Sequence, residues 1–420
     1  MGEVIDKLLE PVPMPKMIKA RQVFPCPRLD DAAHEVTRQL GEKGFANRIK
    51  PGGTVAITAG SRGITDIVPI LRSIADFVRK SGGSPFIVPS MGSHGGSTAA
   101  GQEEILRELG ITEASVGAPV RSSMDTVAVG TAAGGLPVHM DKYAFEADAV
   151  IVVNKIKPHV AFHGRIESGL MKMIAIGLGK QKGAETCHAR GSRAMSENIV
   201  QIARTVMENA NIIFGVGVIE NAYEQTAAIA AVAAENIERD EPALLLKAKA
   251  MTPRLLIRDI DALIIREMGK NISGTGMDTN VIGRHHTDID RDPDEPEIGR
   301  IAVLDITEQS HGNANGIGLA DYTTQKLFAK MSFDMTYPNA LTTTASLSVK
   351  IPMVLDGNRQ AVQACIRCCG ADMDKVRMVL IKNTLELEHI YISESMLQDA
   401  LSDPAIEILS EPVELDFESL

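Results

Sequence analysis

The strongest constraint on the fold is a strand, a glycine-rich turn and a helix met twice in succession. Thr54-Val-Ala-Ile-Thr58 reads as a buried strand, then comes the turn Ala59-Gly60-Ser61-Arg62-Gly63, then a helical period from Ile64 to Lys80. Pro85 to Pro89 repeats the strand, Ser90 to Thr98 the glycine-rich turn with His94 inside it, and Ala99 to Leu109 the helix. Two such units in tandem imply a parallel α/β sheet. Sheets of this kind place ligand-binding loops at the carboxyl ends of their strands, where Arg62 and His94 both fall. Glycine lets the backbone approach a ligand, and the helix start that follows favours an anion. Neither loop matches a Walker A or G-x-G-x-x-G pattern, so neither names a ligand by itself. The plainer alternatives are a surface arginine at a helix start and a histidine that caps its own loop.

At 420 residues the chain exceeds one average domain, and two are expected. The boundary falls near Met251-Thr252-Pro253, giving residues 1–252 and 253–420, with the option that the C-terminal segment returns to the first domain. The fold class expected is two α/β domains with mostly parallel sheets and the active site in the cleft between them. A net charge of −11, 4% aromatics and no Trp disfavour a nucleic-acid surface. No apolar run approaches the ~18 residues of a membrane span, and the N-terminus lacks the pattern of a signal peptide. Five scattered cysteines suit a reducing, cytoplasmic setting. Cys365-Ile-Arg-Cys368-Cys369 lacks a second ligand pair for zinc and reads as structural thiols.

Elsewhere the pattern predicts an extended N-terminal arm over 1–30 and an alanine-rich helix within Asn221–Arg239. Further strands are expected at Ala149–Val153, Ile212–Ile219, Ala262–Ile265 and Ile301–Ile306, and a helix at Asp321–Lys330. His285 and His286 with Asp288 and Asp290 offer metal ligands, although so polar a stretch reads more simply as a solvated loop. Lys270 follows a strand in another polar loop.

The densest chemistry lies between Asn154 and Gly191, where His159, His163, Lys172 and His188 occur among glycines with Glu167 and Ser168. Lys172 stands in Leu-Met-Lys-Met-Ile-Ala-Ile, where a buried ammonium is costly. Its options are a depressed pKa, a salt bridge, with Glu167 the nearest partner, or a covalent adduct. His159 follows Pro158 at the end of a strand and can present its ring to a cleft. His163 is a second acid/base or an exposed loop residue, and His188 a metal ligand or a proton carrier.

Taken together, Arg62, His94, Ile156-Lys-Pro-His159, Ser168-Gly-Leu-Met-Lys172 and Cys187-His188 resemble the nickel-dependent lactate racemase family of 2-hydroxyacid racemases and epimerases. The resemblance is clear over roughly residues 50–195. It implies a nickel-pincer nucleotide, the pyridinium-3-thioamide-5-thiocarboxylic acid mononucleotide carrying Ni, with Lys172 as covalent anchor and His188 as nickel ligand. It further implies that His94 and His159 are the acid/base pair, Arg62 the carboxylate clamp and Lys270 a substrate-binding residue. A longer link between His159 and Lys172 than the family uses keeps His163 open as the second catalytic histidine. In the implied chemistry, hydride leaves C2 for the pyridinium while a histidine removes the hydroxyl proton, and hydride returns on the other face. Histidines that titrate near neutrality suit transfer in both directions, and the cofactor carries the hard chemistry. The partners implied are a small hydroxyacid and the proteins that build the cofactor, with no nucleic acid and no membrane; a homo-oligomer is left open. The tryptophan that lactate racemase uses near its substrate is absent, so lactate is not the expected substrate. Two other readings remain: a Schiff-base lyase or aldolase using Lys172, and a metal or nucleotide carrier without turnover.

Overall fold

The computed structural model describes residues 2–189, 191–289 and 292–419. The chain forms two compact units, 25–252 and 1–24 joined with 253–420. Its strands in chain order are β1 (Met17–Gln22), β2 (Thr54–Ala59), β3 (Ser84–Pro89), β4 (Thr126–Ala132), β5 (Leu136–Asp141), β6 (Ala149–Lys155), β7 (Ile212–Glu220), β8 (Thr226–Ala233), β9 (Asp259–Met268), β10 (Glu297–Ile306), β11 (Tyr322–Thr324), β12 (Met353–Leu355), β13 (Met378–Ile381), β14 (His389–Ser393) and β15 (Ile406–Ile408).

Unit 25–252 holds a sheet of order β3-β2-β6-β7-β8. The first four strands are parallel and β8 runs antiparallel to β7. All nine residues of β7 are buried, as the continuous apolar run of a doubly covered strand requires. Helix Ile67–Lys80 places Ile67, Ile70, Leu71, Ile74 and Val78 on one buried stripe at helical spacing. At about 2 kcal/mol for each fully buried aliphatic side chain, this stripe outweighs any propensity term. Phe45 stacks on Phe214 with centroids 4.5 Å apart and joins the same core. The β4–β5 hairpin stands apart as a two-stranded sheet.

The alanine-rich stretch expected to be helical is strand β8, and helix begins only at Ile237 and runs to Lys249. Alanine's helix preference is a few tenths of a kcal/mol per residue, whereas pairing with β7 supplies a full ladder from Phe214↔Ala233 to Glu220↔Thr226.

The other unit carries a sheet of order β12-β11-β10-β9-β13-β14-β1-β15. From β12 to β13 the strands are parallel, and β14, β1 and β15 pair antiparallel. Helix Asn358–Cys368 buries Ala361, Val362, Cys365 and Ile366 in that unit's core. The Cys365 thiol is fully buried and pushed well above its ordinary pKa by that burial, which makes it a packing group.

The sequence pattern counts residues 1–24 with the domain 1–252. In the structure β1 lies between β14 and β15, with Met17 opposite Ser393 and Gln22 opposite Ile406, so these residues are counted with 253–420. The arm is also more structured than expected, since Glu3–Leu9 is helical and Leu9 is buried. Within Asp321–Lys330, the helix starts at Gln325, because Tyr322–Thr324 is taken up as a parallel strand beside β10. Among the described residues no helix is long and apolar enough to cross a membrane.

Candidate active site

Three loops at the carboxyl ends of β2, β3 and β6 carry the candidate groups of unit 25–252. The first two meet through side chains, since Ser61 Oγ lies 2.5 Å from His94 Nδ1. The Arg62 loop is tethered from the far side, where Thr65 N–H donates to Glu220 Oε1 at 2.7 Å and Lys155 pairs with the same carboxylate. Arg62 itself is exposed.

Beyond β6, the loop with both histidines is organised by Glu167. This carboxylate is fully buried and accepts from His159 N–H at 2.7 Å and Gly164 N–H at 3.3 Å, while Lys249 Nζ lies 2.7 Å away. Its partner is therefore Lys249, and the alternative pairing of Glu167 with Lys172 is not the one formed. Replacing Glu167 with alanine strands two amides and a lysine, and is expected to cost about 3 kcal/mol or more. A lowered denaturant midpoint, with faster amide exchange at His159 and Gly164, is the check.

Ala161 N–H donates to His159 Nδ1 at 3.0 Å, so a neutral His159 ring carries its proton on Nε2. The ring stacks on Phe162 with centroids 4.2 Å apart. Lys172 Nζ sits 5.9 Å from the centroid of that same Phe162 ring. His159 and Lys172 thus flank one buried aromatic side chain. His163, one residue on, is half-buried.

Lys172 ends a short helix, Leu170–Lys172, that passes into a π-helical turn, Met173–Gly177. Turns of this kind are rare and recur at functional sites. The helix start is capped from Ile237–Lys249: Met171 N–H donates to Glu241 Oε2 at 2.8 Å. Glu241 is 1% exposed and its other oxygen has no hydrogen-bond partner, so burial pushes its pKa up to about 7. Gly169 makes that approach feasible, because a Cβ there would lie 2.3 Å from Glu241 Oε1.

The Lys172 side chain keeps some access to solvent, yet protein surrounds its amine closely enough to bring its pKa down to about 7. Burial is the main cause, and the Lys157 and Arg62 charges add to it. His188, at the end of helix Lys180–His188, is lowered to about 4 by burial and by the Lys172 charge. At neutral pH it is an uncharged imidazole, the form that binds metals.

Lys270 belongs to the other unit. Its ammonium donates to Gly274 O at 2.6 Å and Asn339 Oδ1 at 2.7 Å, tying the loop after β9 to helix Phe333–Thr343. The stretch expected to be a solvated loop is partly core. His285 Nε2 lies 2.8 Å from Glu295 Oε2 with both side chains buried, and His286 is buried too, while Asp288 is exposed. Asp290 lies outside the described residues. Apolar packing and the His–Glu pairing outweigh the polar composition there.

Four groups escaped the sequence reading: Glu241, Lys249, Gln102 and Lys180. Glu241 lies 70 positions from Met171, Lys249 82 from Glu167 and Lys180 78 from Gln102, separations that no local pattern records.

Residues 58–234 match a family described as "Domain of unknown function (DUF362)", a span that holds Arg62, His94, His159, His163, Lys172 and His188. No protein of curated function matches. Among solved structures, the lactate racemase apoprotein from Thermoanaerobacterium thermosaccharolyticum aligns with a TM-score of 0.53, covering 87% of this chain and 94% of that one at 15% identity. The fold is lactate racemase-like. At that identity the likeness concerns the fold, and chemistry must be argued from the side chains.

Proposed function

We propose that the chain is an isomerase inverting C2 of a 2-hydroxyacid, a racemase or epimerase, with a nickel-pincer nucleotide joined to Lys172 and His188 as a nickel ligand. The observation that carries this reading is the Lys172–His188 pair. One amine has a pKa of about 7, one imidazole is held neutral down to about 4, and the Lys172 charge is among the causes of the lowered His188 value. That donor set fits the group: a free amine can form the covalent link, and neutral imidazole suits nickel. When bound, the nucleotide supplies the hydride acceptor and donor.

The remaining work falls to the chain itself. Arg62 clamps the substrate carboxylate through its paired N–H groups. His94, with Ser61 against Nδ1, has Nε2 for the hydroxyl proton. His159, whose neutral ring carries its proton on Nε2, is the second acid/base, serving the other face of C2, and its stacking on Phe162 makes it a better candidate than His163 for this role.

The test is a chiral assay over a panel of 2-hydroxyacids and sugar acids, using protein produced with the cofactor-building enzymes. Inversion at C2, with a C2 deuterium label retained in the product, is the expected result. Absence of inversion together with a borohydride-trapped carbonyl adduct on Lys172 would favour the Schiff-base lyase, which a low-pKa lysine also suits.

A further inference from the structure

We infer that Lys180 is a positioning residue that locks the His94 loop to the segment bearing Lys172. The inference rests on His94 and Lys172 belonging to one site, as proposed above.

Lys180 is fully buried and sits in the left-handed region at φ +54°, a conformation lysine rarely adopts. Its ammonium donates to Pro89 O at the end of β3 and to Gln102 Oε1 at 3.0 Å, and lies 3.1 Å from Asp141 Oδ2. The Asp141 contact is a close ion pair without good hydrogen-bond alignment, since Asp141 Oδ2 has no aligned donor. A buried ammonium with this set is compensated where a lone one would not be.

The consequence lies at Gln102, which is also fully buried. With Oε1 turned to Lys180, its Nε2 is aimed at two carbonyls of the His94 loop, Gly92 O at 2.9 Å and His94 O at 3.2 Å. That loop has left-handed backbone at Gly92, Gly95, Gly96 and Ser97 and needs such external support. The backbones also touch directly: Gly92 N–H donates to Gly177 O at 3.4 Å, and a Cβ at Gly177 would lie 2.8 Å from Ser90 O. Lys180 follows the π-helical turn that Lys172 leads into, so one buried charge fixes both partners. The charge orients the amide, and the amide orients the loop.

The test uses apoprotein labelled with 15N-histidine, so its outcome is independent of whether any cofactor binds. The His94 Nδ1 resonance reports the Ser61 contact, and Ser61→Ala supplies the reference for its loss. Gln102→Glu keeps the acceptor for Lys180 but deletes both donors to the loop. That variant and Lys180→Met are expected to move the Nδ1 resonance towards the Ser61→Ala position. The double variant is expected to move it no further, because both act through one amide. A folded Gln102→Glu protein whose Nδ1 signal stays at the wild-type position overturns the inference, as does a double variant that shifts by the sum. Should Lys180→Met fail to fold, Gln102→Glu alone decides.

Discussion

Lys172→Arg is expected to abolish cofactor attachment and to lower turnover by at least ~10³-fold, because arginine stays protonated and cannot serve as the nucleophile. The same residue should stand out chemically in the apoprotein. With a pKa of about 7 instead of 10.5, its amine is half free at pH 7. An ordinary lysine is free to roughly one part in three thousand at that pH. Acylation of Lys172, mapped by peptide mass, should therefore rise about tenfold per pH unit up to about pH 7 and then level off. A rate still climbing at pH 9 would mean that the amine is solvated like any surface lysine. The Lys157 charge contributes to the depression, so Lys157→Met should move the plateau to higher pH, a smaller shift than burial itself produces.

The second large effect concerns stability and lies at Glu241. Its pKa is about 7 in the folded chain against 4.5 for an ordinary glutamate. A carboxyl raised on folding contributes stability that is whole below the unfolded value. That stability is lost as pH climbs from 4.5 towards 7, where the unfolded chain ionises first. The loss is on the order of 3 kcal/mol. His188 works in the opposite sense: its lowered pKa costs stability as pH falls from 6.5 towards 4. The two are separated by comparing wild type with Glu241→Gln, which leaves His188 untouched. The amide can still accept from Met171 N–H and does not ionise. Its stability relative to wild type should rise across that window and stay level above it, as read from denaturant midpoints. A difference that does not change with pH would show that Glu241 stays ionised in the fold.

Much of the unit 25–252 was legible because its local signals agree with its tertiary role. β2 and β3 are apolar runs closed by glycine-rich turns and β6 is one followed by Ile-Lys-Pro-His, so Arg62, His94 and His159 could be placed at strand ends from pattern alone. The enclosure of Lys172 was legible because it is a charge inside Leu-Met-Lys-Met-Ile, whereas its partner was not, since Glu167 pairs with Lys249. What failed was information that local sequence does not contain. β8 is a strand because β7 offers it a ladder, against alanine's own preference. β1 joins the other unit because β14 and β15 leave a gap its backbone fills. Glu167 proved to be the organiser of the histidine loop, and its partner Lys249 lies 82 positions away, a separation no spacing rule detects. Lys180 is likewise accommodated only because Pro89, Gln102 and Asp141 come to meet it.

We propose that Lys172 anchors a nickel-bearing nucleotide held by His188. This anchoring is tested most directly by intact mass and metal content of protein made alongside the cofactor-building enzymes, with peptide mapping of the adduct. The expected result is one sulfur-containing adduct on Lys172 with about one nickel per chain. Nickel should be lost in His188→Ala while the adduct remains, and both should be lost in Lys172→Arg. An unmodified Lys172 and no nickel, in protein produced under conditions that load a lactate racemase, would contradict the account.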